Sequence, residues 1–125
     1  MLHEVHGRAL QAQIGKLKAL AKALYTPDPT AEEAMAFGLT VDEASAEVEV
    51  WPDNLHAANV FIAMGTQWVR AGMNGEPTGL NYASLPEIWR RTKVPPAIRD
   101  TVFDDLRVME EAAIRQIRAL AAKRK

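Results

Sequence analysis

The chain has 125 residues, 48% hydrophobic and 25% charged, with fifteen Lys and Arg against sixteen Asp and Glu for a formal net charge of −1. That balance belongs to a globular domain long enough to bury a core, and it excludes a whole-chain basic field able to recruit nucleic acid or an anionic membrane. The absence of cysteine excludes disulfides, thiol catalysis and thiolate metal sites.

No apolar run approaches the ~20 residues of a membrane span, and the charged N-terminus MLHEVHGRALQAQ lacks the apolar stretch of a signal peptide. The cytoplasm is therefore the expected location.

Val5, Leu10, Ile14, Leu17, Leu20 and Leu24 recur at helical spacing and predict a first helix. Pro27 and Pro29 end it, because proline cannot continue the backbone hydrogen bonds. Thr30 and Glu33 have capping-box spacing and open a short second helix that closes at Gly38. The acidic stretch from Leu39 to Glu49 reads as a linker or lid, and the alternation Val48-Glu49-Val50 is too short to demand a sheet.

A third helix follows Pro52, capped by Asp53 or Asn54. It carries Leu55, Val60, Phe61, Ile62, Met64, Trp68 and Val69, apolar nearly all round, and is expected at the centre of the domain. Next, AGMNGEPTG places Gly72, Gly75 and Gly79 around Pro77 and predicts a tight connector with positive φ. A fourth helix runs from Asn81 or Ser84 to Arg91, with Ser84 and Glu87 at capping-box spacing and Pro86 in the first turn.

Pro95 and Pro96 break the chain before the longest helix, Ala97 to Ala122. On it Ile98, Val102, Leu106, Met109, Ala113, Ile117 and Leu120 fall at steps of four and three, a seam for a bundle or a coiled coil. The expected fold class is all-α, an irregular bundle of about five helices with proline- and glycine-rich joints. Residues 1–125 form one domain on this reading, with N-terminal helices and an acidic linker over 1–50 and a helical core over 51–122.

Candidate chemistry is sparse. His3 and His6 share a helix face but have no third convergent ligand, and His56 has no nucleophilic partner in a recognisable elbow. The acidic pairs Asp104-Asp105 and Glu110-Glu111 are sequence neighbours that diverge by about 100° on a helix. They read as solvated faces, with Arg107 and Arg115 as ion-pair partners. Gly79 is followed by Leu80 and Asn81, not by the Lys and Ser/Thr of a phosphate-binding loop. A helix-turn-helix reading puts Asp100, Asp104 and Asp105 where phosphates would approach, which disfavours DNA. No catalytic, cofactor or metal residues are assigned.

From Trp51 to about Ala113 the chain resembles a phage-related family of small helical proteins without an assigned activity. The resemblance is carried by Trp51-Pro52-Asp53-Asn54, Gly65-Thr66-Gln67-Trp68, Gly72, Gly75, Thr78-Gly79-Leu80-Asn81-Tyr82, Leu85 and Phe103-Asp104-Asp105-Leu106-Arg107-Val108-Met109-Glu110. Members of that family are encoded among tail-assembly genes, and they are similar in placement to the downstream part of a frameshifted tail assembly chaperone.

The resemblance implies a non-catalytic tail assembly factor, without a cofactor, that binds the tape-measure or tail-tube protein and is able to self-associate. It also implies a role in the core or the partner surface for Trp51, Gln67, Trp68, Gly72, Gly75, Thr78, Gly79, Leu80, Tyr82, Leu85, Leu106 and Met109. Alternatives are a structural head–tail connector or tail-completion subunit, and a small prophage DNA-binding regulator.

Overall fold

The computed structural model describes residues 2–27 and 50–123, with side chains described from Leu10 onward. Helix α1 spans Leu2–Leu24. Of the expected apolar face, Leu17 and Leu20 are buried together with Ala21, whereas Leu10 and Leu24 are exposed. The stripe facing the core is thus narrower than the full periodicity. The helix stops ahead of Pro27, and the Thr26 hydroxyl donates to the Lys22 carbonyl at 2.6 Å, satisfying one end group. The expected second helix, Thr30 to Gly38, and the acidic stretch through Glu49 lie outside the described residues.

Helix α2 spans Leu55–Ala63. Its Ala57, Ala58, Val60 and Phe61 enter the core, but Leu55 and Ile62 are exposed, so it is not buried on all sides. Neither expected cap residue makes a side-chain cap: Asn54 is itself buried and turns its amide to the Gln13 carbonyl at 3.4 Å.

The all-α expectation fails beyond Ala63. The helix gives way to a 3₁₀ turn at Met64–Thr66, and Trp68–Ala71 (β1) pairs antiparallel with Glu76–Leu80 (β2). The described residues therefore hold four α-helices and a two-stranded sheet, not a pure five-helix bundle. The cause is local. Gly65 and Thr66 are poor helix formers, while Trp68 and Val69 are an aromatic and a β-branched residue that suit a pleated ribbon.

The chain reverses at Gly72–Gly75, where both glycines take positive φ, +76° and +64°, and the Gly75 N–H donates to the Gly72 carbonyl at 3.3 Å. Register runs Trp68↔Leu80, Val69↔Gly79, Arg70↔Pro77 and Ala71↔Glu76. Thr78 has no partner in that register and sits in a bulge, a place that tolerates the adjacent Pro77 with no N–H to donate.

Helix α3 spans Leu85–Thr92 and α4 spans Arg99–Lys123, entered through 3₁₀ turns at Tyr82–Ser84 and Pro96–Ile98. The capping box at Ser84 does not form. Ser84 is already in a helical conformation and its hydroxyl donates to the Asn81 carbonyl at 2.8 Å. Glu87 is drawn instead to Arg90 and Arg91 on the outside of α3. The side chain that caps this entry is Asn81, whose Oδ1 accepts from the Ala83 N–H at 3.2 Å.

One hydrophobic cluster joins these pieces. Leu17 from α1, Val60 and Phe61 from α2, Leu80 from β2, Leu85 from α3 and Val102, Leu106, Met109 and Ala113 from α4 are all buried in it. The α4 residues are four consecutive members of the predicted seam, so that part of the heptad-like rhythm faces inward. α1 packs chiefly along α4, and the Gln116 side chain donates to the Thr26 hydroxyl at 2.8 Å where the two helices meet.

Candidate functional site

The hairpin is the feature that the motif residues converge on. Its far strand is clamped to α4 by Glu110, whose side chain is only 12% exposed. The Glu110 Oε2 accepts from the Leu80 backbone N–H at 2.7 Å and from the Tyr82 hydroxyl at 2.8 Å. Its other oxygen lies 3.6 Å from the Arg107 Nε. A carboxylate oxygen that accepts both a backbone N–H and a hydroxyl in a largely buried setting is a strong, directional joint, and the Arg107 guanidinium adds a longer ion pair.

Around this joint, the Tyr82 ring packs at 5.1 Å on Phe103, and the Arg107 guanidinium lies 5.9 Å from the Tyr82 ring centre. Burial and the Glu110 hydrogen bond both push the Tyr82 hydroxyl well above the ordinary phenol range, burial being the larger cause. A Cβ built on Gly79 would meet Glu110 Oε2 at 3.3 Å, tighter than ordinary contact, so a side chain here makes the carboxylate shift by a few tenths of an ångström.

The near strand is held from the other side. The Trp68 indole N–H donates to the Tyr25 hydroxyl at 2.7 Å. Tyr25, Phe61 and Trp68 meet edge to face with ring centres 5.8–6.3 Å apart. The hairpin is thereby fastened to the end of α1 by one strand and to α4 by the other.

The remaining motif residues fall into place around it. The Thr78 hydroxyl donates to the Val69 carbonyl at 3.2 Å across the bulge, and the Gln67 carbonyl accepts from the Asn81 N–H at 2.8 Å. Gly72 and Gly75 make the turn. Leu85, Leu106 and Met109 are core. Trp51 stands apart from this group, half-buried, with the Lys16 ammonium 5.8 Å from its ring.

Neither Glu110 nor Tyr25 carries a local signal of its role in holding the hairpin. Glu110 stands beside Glu111 and reads as a solvated acid, and nothing local marks it otherwise. Glu111 does pair with Arg115 at 2.6 Å as expected, but Arg107 turns to Glu110 instead of to Asp104 or Asp105.

At its free end the hairpin presents Met73 to solvent with 105% relative exposure. Val69 on β1 and Leu55 and Ile62 on α2 are also exposed. Leu55 and Ile62 are seven residues apart and so share a helix face. Among the described residues no group of His, Asp and Glu is placed to hold a metal ion, and no helix is long and apolar enough to cross a membrane.

Residues 37–117 match the family described as phage-related hypothetical protein (DUF1799). That span is more than half of the chain, and the protein belongs to this family. It includes α2, both strands, α3 and α4 as far as Ile117, but not α1. No curated protein and no solved structure matches the chain.

Proposed function

We propose that the protein is a non-catalytic assembly factor of bacteriophage tails that binds the tape-measure or tail-tube protein. Membership of a phage-related family supports the setting. The observation that carries the binding role is the set of exposed apolar side chains on α2 and the hairpin, Leu55, Ile62, Val69 and Met73. Met73 makes no use of the molecule's own core, yet it is carried on a hairpin fastened at both strands. A backbone fastened at both strands has little freedom left to lose when a partner covers it, which partly offsets the cost of ordering the Met73 side chain.

Co-expression with the tape-measure protein of the same phage, followed by affinity purification and mass determination, tests this. The reading expects a defined complex and a tape measure that is soluble only alongside this chain. The double variant Ile62→Ser/Met73→Ser, altered only at exposed positions, is expected to fold and to lose the complex. Wild-type protein that purifies alone and leaves the tape measure insoluble overturns the reading.

A further inference from the structure

A different surface lies between α1 and α4. A groove of about 370 Å³ runs there, with Ala19, Val108, Ala112 and Ala119 as an apolar floor and Lys18 and Lys22 along one edge. A second hollow of about 480 Å³ shares Val108, Glu111 and Arg115 with it and continues to Ile114 and Arg118. The first hollow is the trough proper, and the second adjoins it across the Glu111–Arg115 pair, farther round the outside of α4.

Its charge is one-sided. Lys18, Lys22, Arg107, Arg115 and Arg118 face only Glu110 and Glu111, an excess of three positive charges in a chain whose net charge is −1. Both acids are committed, Glu110 to the hairpin joint and Glu111 to Arg115. Lys18, Lys22 and Arg118 have no anionic partner among the described residues.

We propose that this trough docks an acidic amphipathic helix of a protein partner, an inference that rests on the reading of the chain as a protein-binding factor. Arg107 to Ala119 spans about 18 Å of helix axis, room for about three and a half turns of a partner helix. The alanine floor lets a second backbone approach closely, and an apolar stripe at i, i+3, i+4, i+7 would cover Val108, Ala112 and Ala119. Acidic residues flanking that stripe would meet Lys18 and Lys22 on one side and Arg118 on the other. A second copy of this chain is a poor occupant, because α4 would bring the same basic excess against itself. Nucleic acid is also disfavoured: the floor is alanine and valine, and two of the five cations are already engaged with carboxylates.

The probe is a fluorescent peptide of about 14 residues, Leu and Ala on one face and Glu on the other, with a counterpart carrying Lys in place of Glu. Titration of each by anisotropy at low ionic strength is expected to show the acidic peptide binding at least roughly tenfold more tightly. The variant Lys18→Glu/Lys22→Glu/Arg118→Glu, exposed at all three positions and checked for folding by circular dichroism, is expected to reverse that preference. Equal affinity for the two peptides overturns the proposal, as does indifference to the charge reversal. So does displacement of the acidic peptide by duplex DNA as readily as by unlabelled peptide.

Capture of the tape-measure protein separates the two ideas. If the charge-reversed variant still captures it, the trough is not its docking site while the assembly reading stands. If the wild type captures nothing but the acidic peptide binds and depends on the three cations, the assembly reading falls and the trough stands.

Discussion

Glu110 and Tyr82, 28 residues apart in the chain, meet at 2.8 Å, and the same carboxylate oxygen holds the Leu80 backbone N–H at 2.7 Å. One side chain on α4 therefore fixes both the end of the hairpin and the turn that leads into α3. Glu110→Ala should cost about 2 kcal/mol or more in urea unfolding, since it leaves a part-buried N–H and hydroxyl without their acceptor. Tyr82→Phe, which removes only one of the two bonds, should cost about 1 kcal/mol. A loss for Glu110→Ala no greater than that for Tyr82→Phe would show that the bond to the Leu80 N–H adds nothing to the joint.

Tyr82 also makes stability depend on alkaline pH. Its hydroxyl is held well above the ordinary phenol value near 10, first by burial and then by Glu110. A group with a raised folded-state pKa contributes stability that is complete below the unfolded value and is lost as pH rises through the folded one. Unfolding free energy should therefore fall as pH climbs above about 10. Tyr82→Phe should flatten that decline relative to wild type in parallel urea titrations. Parallel curves for the two proteins would place the loss elsewhere.

The Trp68–Tyr25 hydrogen bond ties β1 to the end of α1. A double-mutant cycle with Tyr25→Phe and Trp68→Phe should give a coupling energy of about 0.5–1.5 kcal/mol in chemical denaturation. Additive single effects would mean that the rings meet without the bond mattering.

Lys93 closes α3 in the left-handed conformation, φ 58° and ψ 40°, the one described non-glycine residue with positive φ. Its own N–H and that of Val94 both donate to the Trp89 carbonyl, so the geometry is imposed by the cap. Lys93→Gly should raise stability by up to about 1 kcal/mol, because glycine enters that region without the Cβ clash. A thermal melt that moves down would place the Lys93 side chain in a stabilising contact.

Asp105 is half-buried on α4, and desolvation, aided by neighbouring Asp104, holds its carboxyl above the usual range. Its protonated form is the one the fold favours, so its contribution is present at acid pH and lost as pH rises through the carboxylate range. Asp105→Asn should be more stable than wild type at pH 7, with the difference closing near pH 3. A constant difference across that range would mean that ionisation of Asp105 is not its source.

How much of this was legible beforehand depends on the kind of contact. The α4 seam was legible, because Val102, Leu106, Met109 and Ala113 repeat at the spacing of one helix face and all four are buried. The glycine turn was legible as a turn, since Gly72 and Gly75 are residues that accept positive φ. The strands beside it were not. Trp68–Ala71 is four residues long, and its first two extend the apolar pattern of α2 without a visible break. Pro77 reads as a turn signal, and an edge strand with a bulge at Thr78 lets it sit in the sheet. Glu110 was hidden for another reason: its role is set by groups 28 and 30 residues away, which local periodicity does not encode.

The packing of α1 on α4 has a consequence for synthesis on the ribosome. The stripe formed by Leu17, Leu20 and Ala21 is covered chiefly by a helix that begins at Arg99, about 80 residues later. At a translation rate of about 5–20 residues per second, that stripe waits roughly 4–15 s for its cover. During that interval α1 is a nascent amphipathic helix with its greasy side open to whatever is near the ribosome exit, so the order in which the chain is made sets a window in which it must avoid, or meet, its first neighbours.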